Sequence, residues 1–144
     1  MENIESILTE WEKDSVIDRT EPGKELLNIP KLHSKYLGAL VKHRIAKHKR
    51  MSEYNRIKRV KYEYYSGKMD EEQLKEYGWE PFRYVLKSDI TNYIEADADL
   101  IKILEKKAYH EEVISVCEAI MKELGQRTWQ LKEYCGWEKF IAGN

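Results

Sequence analysis

Residues 58–68 read KRVKYEYYSGK. Lys58, Arg59, Lys61 and Lys68 supply four cations, Tyr62, Tyr64 and Tyr65 supply three phenol rings, and Glu63 is the single acid among them. Cationic side chains neutralise phosphates and release condensed counterions. Tyrosine rings stack on any nucleobase, which gives grip without sequence readout. The combination favours a single strand over a duplex, because reading a duplex calls for Asn, Gln or Arg aimed at base edges. On a helix the four cations cannot all share one face, but they can band an exposed helix end with Tyr62 and Tyr65 beside it. The competing reading is a solvated cationic face whose tyrosines belong to the core.

The remaining chemistry-bearing residues point to simpler roles. His43 and His48 are five apart, not the three or four that align two imidazoles for a metal, and they read as solvated helix histidines. Glu95, Asp97 and Asp99 could hold Mg²⁺, yet acids are also favoured at a helix N-terminus, where they cap amides. No base, nucleophile or phosphate loop lies near them in sequence, so neither a catalytic site nor a metal or other cofactor is expected. Cys117 and Cys135 lie 18 apart without metal-ligand spacing and read as two reduced thiols in a cytoplasmic protein.

Charge is distributed unevenly. The net charge of the 144 residues is −1, but Lys31 to Lys68 holds twelve Lys/Arg against two acids. Such polarity offers a basic stripe to an anion while the rest of the surface stays acidic. Three prolines and seven glycines are too few for a turn-rich β fold, and no apolar run is long enough to span a membrane. The acidic, amphipathic start MENIESILTEWEKD reads as a helix and not as a signal peptide.

These residues need helices to position them. The pattern predicts a mainly α single domain of long antiparallel helices packed as a helical bundle, with N-terminal helices over about 1–68 and C-terminal helices over about 97–142. Asn3 caps a first helix whose Ile4, Ile7, Leu8 and Trp11 share one face. DSVIDRTEPGKELLNIP is expected to be a connection with an Asp18/Glu21 capping pair, and Pro30 suits a first helical turn. From Pro30 to about Tyr65 the apolar spacing fits one continuous helix, or two broken between His43 and His48. Gly67 follows as a C′ residue. Asp70 and Gln73 cap a short helix closed by Gly78. Residues 82–95 allow a small β-hairpin, with Arg83 to Leu86 and Tyr93 to Ile94 as arms around a Lys-Ser-Asp turn, or more helix.

Asp97 to Leu124 reads as a helix stopped by Gly125, followed by a last helix over Gln126 to Ala142. A heptad line passes through Leu100, Ile103, Lys107, His110, Ile114, Cys117, Met121 and Leu124. Its six apolar positions are candidates for self-association. The Lys107/His110 interruption either sets register or oligomeric state, or reaches solvent. The aromatic residues of the last helix are expected in a core or a subunit interface.

The order Arg59-Val60-Lys61-Tyr62-Glu63-Tyr64-Tyr65-Ser66-Gly67 resembles the UvsY family of recombination mediators from tailed bacteriophages. DSVIDRT near the N-terminus, VLKSDITNYIEADADL from Val85 and the ending FIAGN are similar to family elements in the same order, over about residues 14–143. The resemblance implies a non-enzymatic protein that binds single-stranded DNA. It implies partnership with the phage single-strand-binding protein and help for a phage RecA-like recombinase in nucleating its filament. It also implies a ring-like or open-barrel homo-oligomer of six or seven subunits, self-associating through its C-terminal portion, in the cytoplasm of the bacterial host. Arg59 and Lys61 inherit the DNA-binding assignment, while Lys58, Tyr65 and Lys68 join them on local physical grounds. A protein-only helical adaptor for an acidic partner is the alternative.

Overall fold

The computed structural model describes residues 3–82 and 85–143, and every regular element among them is helical. In chain order these are α1 (Ile4–Asp14), α2 (Pro22–Tyr65), α3 (Glu71–Tyr77), a 3-10 turn (Lys87–Asp89), α4 (Ile90–Glu95) and α5 (Ala98–Ile141). No described helix is long and apolar enough to cross a membrane.

Local chemistry sets most of the ends. The Asn3 side chain accepts from the Ser6 N–H at 2.8 Å while the Asn3 N–H donates to Ser6 Oγ at 3.2 Å. Asp70 and Gln73 make the same reciprocal pair at the start of α3, at 2.8 and 3.3 Å. Gly67 closes α2 with φ +74°. Its N–H reaches the Tyr64 carbonyl and the Lys68 N–H reaches that of Glu63, both at 3.1 Å. This is the glycine-dependent closure that satisfies orphan carbonyls at a helix end.

Three expectations need correction. First, the connection after α1 is shorter, because α2 begins at Pro22. A proline suits the first helical position, where its missing N–H costs nothing. Asp18 does not cap the helix. Its carboxylate accepts from Thr20 N–H and hydroxyl at 2.9 and 2.6 Å, which folds a local turn. Pro30 therefore lies inside the helix and deprives the Leu26 carbonyl of its helical donor. Both residues are exposed, so water can serve that carbonyl. α2 then continues without a break through His43 to His48.

Second, Tyr93 and Ile94, one arm of the expected hairpin, are in α4, and the Lys87–Asp89 segment is a 3-10 turn. Ile90 and Ile94, four apart, are both buried, which is a helical burial pattern. Arg83 and Tyr84, from the other arm, lie outside the described residues.

Third, α5 passes through Gly125. Cys117, Ile120, Leu124, Arg127 and Leu131 are buried at alternating spacings of three and four. That line crosses the glycine and outweighs its helix penalty of about 1 kcal/mol.

The chain divides into two compact units. One comprises Met1–Ile45 with His110–Asn144. Its core joins Ile7 of α1, Leu32, Tyr36, Ala39 and Leu40 of α2, and Val113, Cys117, Ile120 and Leu124 of α5. Ile4 and Trp11 pack against this core, whereas Leu8, expected on the same face, is half exposed. Trp11 meets Tyr36 edge to face, with ring centroids 5.8 Å apart. Lys35 Nζ lies 2.7 Å from both Glu10 Oε2 and Asp14 Oδ2, and the Tyr36 hydroxyl donates to Asp14 at 2.8 Å. Buried Arg127 donates to the Asp14 carbonyl at 3.0 Å, serving the C-terminus of α1.

The other unit comprises Ala46–Tyr109. Ile90, Ile94 and Leu100 form its apolar centre, with Tyr54, Ile57, Tyr65 and Val85 packed against them.

Candidate nucleic-acid interface

The basic, tyrosine-rich stretch lies in the second unit, at the C-terminal end of α2. Helical geometry separates its residues into an inward and an outward set.

Lys61 belongs to the inward set. It is 6 % exposed. Its ammonium stands 3.1 Å from Asp97 Oδ2 and 2.8 Å from Asp99 Oδ2. The Trp79 ring centroid is 4.1 Å from the same nitrogen, a cation–π contact. Tyr65 turns the same way, and its hydroxyl donates to Asp97 Oδ2 at 2.5 Å. Asp97 Oδ1 accepts from the Leu100 N–H at 3.0 Å, so the one carboxylate caps α5 and binds both α2 side chains.

Charge is stabilised on both sides of this pair. Burial pushes the Asp97 carboxyl up, but the Tyr65 hydroxyl, the Leu100 amide and Lys61 together hold it below the usual carboxylate value. Burial likewise opposes the Lys61 charge, and hydrogen bonds to Asp99 and Asp97 more than offset it, raising its pKa. Burial, then the Asp97 hydrogen bond, raises Tyr65 well above an ordinary phenol. Asp97 and Asp99 thus act as a cap and as counter-ions to a lysine. Among the described residues no group of His, Cys, Asp and Glu has the geometry to hold a metal.

Around this pair lies an aromatic cluster. Tyr64 contacts Tyr65, Trp79 and Phe82 at centroid distances of 5.1 to 5.4 Å. Tyr65 also meets Phe82 and Tyr93. These rings are spent on one another, so Tyr64 and Tyr65 are not open faces for a base. A direct phosphate contact by Lys61 and base contact by Tyr65 do not fit these positions.

The outward set keeps its charge available. Lys58, Arg59 and Lys68 are exposed, as are Arg56, about one turn earlier on α2, and Lys49, about two turns before that. Lys58 lies 5.7 Å from the Tyr54 ring centroid. Arg56, Arg59 and Lys68 have no ion-pair partner among the described residues.

The heptad line of α5 is largely consumed within the chain. Leu100, Ile103, Cys117 and Leu124 are buried, and half-buried Ile114 and Met121 pack against the core of the first unit. They are core residues, not a free surface for self-association. His110 of the same line meets His43, with Nδ1 atoms 2.9 Å apart, so one imidazole donates and the other accepts. His43 is buried, contrary to its expected solvation. The signal was available, since position 43 continues the helical line of Tyr36, Ala39 and Leu40. Cys117 and Cys135 are free thiols, and burial raises the Cys117 pKa, with Glu118 adding to the effect.

Apolar surface is exposed elsewhere. Trp129, Trp137, Phe140 and Ile141, toward the C-terminal end of α5, are each more than half exposed. Leu37, Val41 and Ile45 form an exposed line on α2 at spacings of four.

The family described as "Recombination, repair and ssDNA binding protein UvsY" matches residues 10–144. Crystal structures of the bacteriophage T4 recombination mediator protein UvsY share the fold. One superposes with a TM-score of 0.84 at 22% identity, covering 99% of both chains. Two others, in different lattices, give TM-scores of 0.80 and 0.82 at 22% and 21% identity. They cover 96% and 94% of this chain and 98% of the matched one. No curated protein matches the chain.

Proposed function

The chain belongs to the UvsY family of recombination, repair and ssDNA binding proteins, and from that premise we propose that it is a recombination mediator. It binds single-stranded DNA and promotes loading of a phage RecA-like recombinase onto DNA covered by the phage single-strand-binding protein, in the cytoplasm of the host cell. It performs no catalysis. The T4 protein of the same fold is itself described as a recombination mediator.

The observation that carries this reading is the exposed cationic side of α2, where Arg56, Arg59 and Lys58 face solvent, while Asp97 and Asp99 bind Lys61. Each such site is modest. A homo-oligomer of six or seven subunits repeats it, so later contacts along one strand become intramolecular and avidity rises. The exposed Trp129, Trp137, Phe140 and Ile141 support self-association through the C-terminal end of α5. A strand held along such an array takes a shape that favours one DNA-binding protein over another, which is a population shift driven by preferential binding.

Fluorescence anisotropy with a labelled oligothymidine tests the reading. Binding that weakens steeply as salt rises is the expected result. A chain that binds no oligothymidine at low salt is not this kind of mediator and is better described as an adaptor between proteins.

A further inference from the structure

Arg59 and Tyr62 follow one another on α2 at a spacing of three, and Ser66, in the turn that closes the helix with its N–H on the Tyr62 carbonyl, continues their line. That line is turned away from the side that buries Lys61, Tyr62 by about 100° and Arg59 by about 160° around the helix. It ends at a cleft of about 230 Å³ bordered by Tyr62, Ser66, Lys68, Val85, Lys87 and Ile90, all within the second unit. The floor is apolar, with Ile90 buried and Val85 half-buried. The rim is cationic, since Lys68 and Lys87 are exposed and neither has an ion pair or hydrogen bond through its ammonium among the described residues. Tyr62 is the wall. The residue is 40% exposed, and its ring takes no part in the stacks that occupy Tyr64, Tyr65, Trp79, Phe82 and Tyr93.

We infer that this cleft is a nucleotide subsite: one base of a single strand lies against Tyr62 over the Val85 and Ile90 floor, and Lys68 and Lys87 take the adjoining phosphates. The inference rests on the DNA-binding reading above and deepens it. It brings in Tyr62 and Lys87 as contacts and leaves out Lys61 and Tyr65. The chemistry selects the ligand. An apolar floor with a free ring face suits a planar heterocycle, and two ammonium groups at the rim suit an anion on either side of it. The cleft is smaller than the roughly 300 Å³ at which drug-sized ligand pockets begin, which fits a single base. A duplex keeps its base faces stacked inside, so the subsite is open only to an unpaired strand.

The test compares a labelled oligothymidine with an abasic oligomer of equal length, by anisotropy on the whole chain. Tyr62→Ala is expected to weaken oligothymidine binding by roughly 5- to 100-fold per subunit engaged, and to leave abasic binding unchanged. Tyr62→Phe, which keeps the ring, is expected to bind both as the unaltered chain does. Lys87→Ala is expected to weaken both ligands and to lower the slope of log K against log salt by about 0.7 per subunit engaged. Tyr62→Ala or Lys87→Ala binding both oligomers as the unaltered chain does would overturn the subsite while leaving Arg59-dependent binding intact. An unaltered chain that binds neither oligomer overturns the functional reading and the subsite together.

Discussion

Lys61 and Asp97 form a buried ion pair, Nζ to Oδ2 at 3.1 Å, in which the lysine comes from the most basic segment of the chain and the aspartate caps α5. Lys61 is thus a structural cation. Removing it leaves Asp97 buried without its counter-ion, and breaking such a pair costs about 3–5 kcal/mol. Lys61→Ala is expected to lower the stability of the chain by that order in urea unfolding. Lys61→Met keeps an unbranched stem against Trp79 and is expected to restore packing but not charge balance. If Lys61→Ala unfolds at the same urea concentration as the unaltered chain and only loses DNA, the lysine is a phosphate contact after all.

The same pair sets a pH window. The Asp97 carboxyl is held below its unfolded value by Tyr65, Leu100 and Lys61 acting against burial. Its contribution is therefore present above the unfolded pKa of about 3.9 and is lost as pH falls through the folded value. Lys61 is shifted the other way, upward, by its hydrogen bonds to Asp99 and Asp97 acting against burial. Its contribution is full below about pH 10.4 and is lost as pH rises through the folded value. Asp97→Asn is expected to be less stable than the unaltered chain at neutral pH. The gap should begin to shrink below about pH 4, where the unfolded carboxyl takes up its proton first, and should close only as pH falls through the lower folded value. A gap that stays constant down to about pH 2 would show that the cap, not the charge, carries the effect.

Arg59, two residues before Lys61, is on the other side of the helix and is exposed. Arg59→Ala is expected to leave thermal unfolding unchanged and to weaken oligothymidine binding. It should lower the salt slope by about 0.7 per subunit engaged, the value for one phosphate contact on a single strand. The contrast with Lys61→Ala is the informative part, because the two neighbours separate binding from folding. An Arg59→Ala variant with undiminished affinity at moderate salt would place the DNA contacts elsewhere.

Much of this arrangement was legible in the residues, and the failures share a cause. Several helix ends were readable: Asn3, the Asp70 and Gln73 pair, Gly67 and Gly78 all stand where their chemistry demands, whereas the expected Asp18/Glu21 pair caps no helix. The breakers Pro30 and Gly125 misled. Gly125 lies inside a helix because the buried line Leu124–Arg127–Leu131 crosses it, and Pro30 lies inside one because α2 already begins at Pro22. The hairpin expectation rested on β-favouring types at Tyr93 and Ile94, and burial at four-residue spacing overrode it. Charge misled in the same way. Lys61 and Arg127 count as cations in the sequence, yet both are buried, each answered by an oxygen partner distant in sequence. Helical phase separates Lys61 from Arg59, but which face turns inward depends on α4 and α5, which a basic run alone does not reveal.

The two views of glycine can be measured directly. Gly125 is exposed and carries no positive φ, and a Cβ placed there meets nothing within 4 Å. Gly125→Ala therefore removes unfolded-state freedom and adds helix propensity at no steric cost, and is expected to stabilise the chain by about 0.5–1 kcal/mol. Gly67 has equally open space, but its φ of +74° is in the left-handed region that a Cβ disfavours. Gly67→Ala is expected to destabilise by about 1–2 kcal/mol and to loosen the turn that carries Lys68. Urea unfolding of the two variants checks both signs at once. Destabilisation by Gly125→Ala would mean that α5 is two helices hinged at that glycine, and the continuous Ala98–Ile141 helix would then be wrong.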